Sequence, residues 1–202
     1  MRLHGGESKV ALSAAEWKLA ETPTFILTKN RVIDAVSELF GELADDYRQL
    51  SIPLVAHYPD IFNVMPKVSK GEKYEHMPWV MLDYPRNFGD QEGHFAIRSF
   101  FWWGHGFSIR LQLSGSFLIR FYQAFARLEQ QGFVCGITNN PWDQQLPPDD
   151  WQSLQEANRP VAYYHQRYAI AGKKIPVDQW PQVKTFYQEQ YRLLIAALAG
   201  SV

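Results

Sequence analysis

Arg98, Phe100, Trp102, Arg110 and Gln112 all lie in the stretch Gly93–Ser114, GHFAIRSFFWWGHGFSIRLQLS, and are the residues of this chain best suited to chemistry. A guanidinium fork holds carboxylate or phosphate through paired N–H groups, and a large ring stacks on a planar ligand. Period-two alternation is what would gather them, since the stretch reads as a β-hairpin closed around Gly104-His105-Gly106. In that register Trp103 sits opposite Phe107, Phe101 opposite Ile109, Ser99 opposite Leu111 and Ile97 opposite Leu113, one nearly continuous apolar face. The second face carries Arg98, Phe100 and Trp102 against Gln112, Arg110 and Ser108. Such a face is either a stacking and anion-holding surface or a layer covered by a helix.

Neighbouring segments extend it. Trp79, Met81 and Asp83 share one side of an expected strand Trp79–Tyr84, stopped by Pro85. Asp83 needs a partner if covered, and Arg98 or Arg110 is available. A further strand is expected over Val161–Ile170, with Tyr163, His165 and Arg167 on one side. If it joins the hairpin, the candidate ligand-binding set becomes Asp83, Arg98, Phe100, Trp102, Arg110, Gln112 and His165.

Other chemistries find less support. The six histidines make no His-x-x-x-His pair and no HExxH motif. His94 and His105 stand at opposite ends of a strand of about nine residues, too far apart at ~3.3 Å per residue for one metal. His57 and His76, approaching each other or His94 together with Asp60, Glu75 or Asp90, are the remaining grouping, and the sequence is read as having no metal site and no cofactor. No G-x-S-x-G elbow occurs, and Cys135 lies in the apolar FVCGI, where a thiol is usually a small buried hydrophobe. Gly104-x-Gly106 lacks the third glycine of a dinucleotide loop, Ile109 standing in its place. An acid-x-Lys nuclease pattern occurs at Glu7-x-Lys9 and Glu16-x-Lys18, outside any expected core strand.

The elements that must hold the two-faced hairpin follow from the rest of the chain. Residues 1–10 read as a loose leader, and Ser13-x-x-Glu16 is a capping box opening a short helix to Ala20. Apolar residues at three-four spacing predict an amphipathic helix from Thr28 to Leu50. Ile52–Met77, with three prolines and the polar run SKGEKYEH, reads as a long surface loop. Its His57, Tyr58 and His76 are expected at the rim of the site, as a mobile cover. Ser114 or Ser116 caps a helix to Gln131 with Gly132 beyond its end, and Phe133–Ile137 is strand-like. Asn139–Pro148 is turn-rich, and Asp149 or Asp150 can cap one or two helical turns through Ala157. A last helix begins at Asp178, tolerates Pro181 in its first turn and ends at Gly200. The order of helix, three strands, helix, strand and helix predicts an α+β fold: a mostly antiparallel sheet of about four or five strands with packed helices, in a single domain spanning residues 1–202.

Composition bounds the function. Of 202 residues, 46% are hydrophobic and 20% charged, which is an ordinary folded globule; the 7 Trp, 10 Tyr and 13 Phe must largely be core. A net charge of -1 gives no electrostatic reason to expect nucleic acid or an anionic membrane as partner. One cysteine excludes an intramolecular disulfide. No apolar run makes a signal peptide or approaches the ~20 residues of a membrane span, so a soluble, cytoplasmic protein is expected. The favoured reading is a binding or interaction protein that offers the aromatic–arginine face to a small planar or anionic ligand or to a protein partner. The alternative is an enzyme acting on a small anionic substrate held by Arg98 and Arg110, with His165 or Asp83 moving a proton. Sequence alone assigns neither ligand nor oligomeric state.

Overall fold

The computed structural model describes residues 10–89, 93–148, 150, 152, 154 and 167–200. Helix α1 (Ala14–Ala20) opens on the expected capping box: Glu16 N–H donates to Ser13 Oγ at 3.3 Å, and Ser13 N–H to Glu16 Oε2 at 2.6 Å. Helix α2 (Pro23–Val55) runs beyond the expected 28–50 at both ends. Pro23 begins it, where a missing N–H costs nothing, and Pro53 falls in its last turn and forfeits one backbone bond near the helix end. Its buried residues Ile33, Val36, Phe40, Leu43, Tyr47 and Leu54 keep the helical spacing that the sequence displays.

The expected long loop is largely structured. After α3 (Pro59–Phe62), β1 (Lys67–Tyr74) forms from the polar run and pairs with β2 (Met77–Gly89) across a turn in which Glu75 and His76 both have positive φ. That pair of dihedrals is the two-residue hairpin turn whose twist matches its strands. Strand β1 lies at the edge of the sheet, order β1-β2-β3-β4-β6-β5, where charged side chains are an asset because they deter further pairing. Lys70–Asp34 at 3.1 Å and Lys29–Glu72 at 2.7 Å tie it to α2. Strand β2 does not stop at Pro85: a register shift between Asp83 and Arg86 lets the strand absorb the proline and continue.

Strands β3 (Gly93–Trp102) and β4 (Gly106–Leu113) make the expected hairpin, displaced by two residues from the register read in the sequence. Phe101 faces Phe107, Ser99 faces Ile109, Ile97 faces Leu111 and Arg98 faces Arg110. The loop is Trp103-Gly104-His105, with His105 N–H donating to the Trp102 carbonyl at 2.9 Å. An even displacement leaves every side chain on its expected face and changes only its opposite number. Gly106 closes the loop with φ +92°, and a Cβ there would stand 2.8 Å from the Ile175 carbonyl oxygen. Both facts require glycine.

Helix α4 (Gly115–Gln130), β5 (Val134–Thr138), β6 (Tyr168–Ile175) and α5 (Trp180–Ala199) complete the chain. The sheet is antiparallel throughout and has six strands, slightly more than expected. Of the strand expected at Val161–Ile170, residues 161–166 lie outside the described residues; β6 begins at Tyr168 and pairs with β4 on one side and β5 on the other. Most of the helical turn expected after Asp149 also falls outside them.

One sheet face, with Val80, Leu82, Ile97, Phe101, Ile109 and Leu111, packs under α2, α4 and α5 as the core. Among the polar groups buried there, Tyr47 Oη pairs with Ser99 Oγ at 2.8 Å, Ser51 Oγ with Tyr191 Oη at 2.6 Å, and the Tyr187 hydroxyl donates to the Phe100 carbonyl at 3.1 Å. The second face is covered, among the described residues, by the irregular segment 139–148 rather than by a helix.

Candidate functional site

Asp83, Arg98 and Arg110 lie side by side on β2, β3 and β4, on the face away from the helices. Arg98 donates Nε to Asp83 Oδ1 at 2.7 Å and Nη2 to Oδ2 at 3.1 Å, a two-pronged pair whose side chains are only 3% and 6% exposed. Nη1 of Arg98 has no partner among the described residues. Directly opposite, Arg110 is 2% exposed and meets no carboxylate within ion-pair distance among them. Its Nη1 donates to the Asp143 carbonyl at 2.6 Å, its Nη2 donates to the Gln144 side-chain oxygen, and its Nε is unpartnered. Burial, and then the facing Arg98, push the Arg110 guanidinium down to about 9, which still leaves it charged at neutral pH.

Arg110 thereby pins residues 143–144 to the sheet. The rest of the segment is built around short turns: Asn140 Oδ1 accepts Trp142 N–H at 3.0 Å, and Asp143 Oδ1 accepts Gln145 N–H at 2.8 Å. From β1, the Tyr74 hydroxyl accepts Gln144 N–H at 2.9 Å. Trp142 is so held with its ring centroid 6.0 Å from Arg98 Cζ.

Between this segment and the β1–β3 strands lies a cavity of about 330 Å³. Four rings wall it: Tyr74, Trp79, Phe100 and the 62%-exposed Trp142. Trp79 stacks on Phe100 at 6.0 Å between centroids, and Tyr74 meets Phe100 edge-on at 5.9 Å. Met81 adds an apolar patch, while Arg98, Lys73 and Gln144 supply the polar groups. Its volume is at the lower end of those that hold small molecules.

Of the residues singled out in the sequence, Arg98 and Phe100 line the cavity, and Asp83 is the counter-ion of Arg98. Trp102 stacks on His105 at 3.5 Å beside a separate space of about 30 Å³, one water molecule in size. Arg110 does not line the main cavity, being sealed under residues 143–144. Gln112 is buried beside Ala96 and Ile170, and His165 lies outside the described residues. His57 and Tyr58 are not at the rim: Tyr58 packs in the helical core, 5.1 Å from Phe121, and the Arg120 guanidinium lies over its ring. His76 sits in the β1–β2 turn. Sequence reasoning missed Lys73 and Tyr74, hidden in the polar run, and Trp142 and Gln144, in the turn-rich connection. A tryptophan set between the turn formers Asn140 and Asp143 was the one available signal.

Two depressions of about 420 and 430 Å³ elsewhere, along α4 and between α2 and α5, lack such a convergence of rings and cations. Cys135 packs inward, and burial pushes its thiol up to about 12. Among the described residues no group of His, Cys, Asp and Glu is placed to hold a metal, and no helix is long and apolar enough to cross a membrane. No protein-family model, curated protein or solved structure matches the chain. What defines it is its own geometry: an antiparallel α+β sheet with helices on one face and an aromatic cavity under an irregular strap on the other.

Proposed function

We propose that this protein binds a small planar ligand carrying an anionic or strongly accepting group, in the cavity between Trp79, Phe100 and Trp142. The observation that carries this reading is four rings walling a ligand-sized space that Arg98, whose Nη1 has no partner among the described residues, and Lys73 also line. Rings supply stacking area, and the two cations select an acceptor. Asp83 already engages Arg98 through both oxygens, so it serves as a counter-ion rather than a proton carrier, which favours binding over catalysis.

The test is a thermal-shift and tryptophan-quenching screen of aryl carboxylates and nucleoside monophosphates, with acetate and inorganic phosphate as controls. A true ligand at 100 times its Kd raises stability by about 2.7 kcal/mol. Trp142→Ala should weaken it at least about tenfold and Lys73→Met less, both positions lying outside the core. The reading fails if no aromatic anion shifts melting or quenches fluorescence, or if a binder is indifferent to Trp142→Ala.

A further inference from the structure

Phe100 and Gln144 line not only the ring cavity but also the small cell of about 30 Å³ beside Trp102, which has room for one water-sized occupant. Donors dominate its lining. Trp102 is 4% exposed, and its Nε1–H is buried without an acceptor. An indole nitrogen only donates, so an acceptor alone can relieve that cost. Lys174 faces Ser108 across the β4–β6 pair, and neither the ammonium nor the hydroxyl has a hydrogen-bond or ion-pair partner among the described residues. His105, stacked on Trp102 at 3.5 Å, completes one side. Acceptors are scarce by comparison. Gln144 gives its side-chain oxygen to Arg110, and no Asp or Glu among the described residues lines the cell. Asp143, which acts on Lys174 through space, engages Gln145 N–H with Oδ1 at 2.8 Å. Beyond Gln144, the buried Arg110 adds positive charge with no carboxylate at ion-pair distance among the described residues.

We propose that this cell is a binding site for a monatomic anion, chloride foremost, held by Trp102, Ser108 and Lys174. Charge and size select this occupant. Water would relieve the indole N–H but leave the excess positive charge of Lys174 and Arg110 in place, whereas a halide answers both. Sulfate, phosphate and carboxylate are too large for a space that admits one water-sized occupant. Chloride binds here whether or not the ring cavity is occupied.

Chloride NMR line broadening by the full chain, titrated at constant ionic strength, tests this. Saturable broadening is expected, reversed by bromide and not by sulfate. Lys174→Met, at an exposed position, should weaken binding at least about tenfold. Trp102→Phe, which keeps a ring but loses the N–H, should also weaken it at least about tenfold. Lys70→Met removes an equal charge on the helix side of the sheet, where Lys70 pairs with Asp34, and should leave binding unchanged. Circular dichroism checks that each variant is folded. No saturable broadening, reversal by sulfate as readily as by bromide, or a loss in Lys70→Met equal to that in Lys174→Met would each overturn the proposal. So would binding indifferent to Lys174→Met or to a folded Trp102→Phe chain.

Discussion

Substituting Asp83 with asparagine removes the carboxylate that pairs with Arg98 while keeping the side chain's shape. Arg98 and Arg110 would then stand opposite each other on adjacent strands, two guanidinium groups at 3% and 2% exposure with no carboxylate at ion-pair distance among the described residues. Breaking one partner of a buried pair typically costs about 3–5 kcal/mol, because the remaining charge stays desolvated. The facing Arg110 argues for the upper part of that range. Asp34→Asn is the control: its pair with Lys70 has side chains 71% and 55% exposed, and such surface pairs are worth about 0–1 kcal/mol. For a chain of this size about 3–5 kcal/mol corresponds to a fall in Tm of roughly 6–20 °C. Guanidinium denaturation followed by tryptophan fluorescence reads the change, with the slope against denaturant unaltered. Asp83→Leu combined with Arg98→Met should return within about 1–2 kcal/mol of the parent, since an apolar pair needs no desolvation and relieves Arg110 of a like charge. An Asp83→Asn cost below about 1 kcal/mol would refute the reasoning, because water would have to reach Arg98. A double variant as unstable as the single would also refute it.

Ser99→Ala should cost about 1–3 kcal/mol by stranding the buried Tyr47 hydroxyl, and adding Tyr47→Phe should cost less than the sum of the two changes; additive losses in a double-mutant cycle would show that the 2.8 Å contact contributes nothing. Cys135 should resist thiol reagents in the native chain at pH 8 and react once denaturant is added, because burial pushes its thiol up to about 12; prompt native labelling would contradict this. The same shift makes the fold lose stability as the pH rises above 9.0, the ordinary thiol value, towards 12, since the unfolded thiol ionises first.

How much of this was legible in the chain depends on what each element buries. Alternation in Gly93–Ser114 assigned every residue to its face, and that assignment survived a two-residue error in register because the pleat has period two. Helix α2 was legible through Val36, Phe40, Leu43 and Tyr47, though its prolines concealed both ends. Strand β1 was not legible: an edge strand with no fully buried residue shows no apolar alternation, so Lys67–Tyr74 looks like a loop. The continuation of β2 past Pro85 was hidden for another reason, since a bulge removes the proline from the hydrogen-bonding register and leaves no trace in hydrophobic pattern.

The cover over the arginine face was the hardest part to foresee, yet the arginines themselves constrain it. A helix uses its backbone carbonyls internally along most of its length and offers a buried guanidinium few acceptors. An irregular segment leaves its carbonyls free, and they must find donors when they are buried. Arg110 and the Asp143 carbonyl satisfy each other on these terms, at 2.6 Å, with the Gln144 side chain completing the clamp. Leu146 packs closely over Gly172, where a Cβ would meet Leu146 Cδ2 at 2.7 Å, so the strap lies flat on β6 as well. Central-strand arginines on a second sheet face thus call for a loop rather than a helix above them. The same loop, held down at residues 143–144 and exposed at Trp142, leaves an aromatic-walled space beside its anchor instead of sealing the sheet.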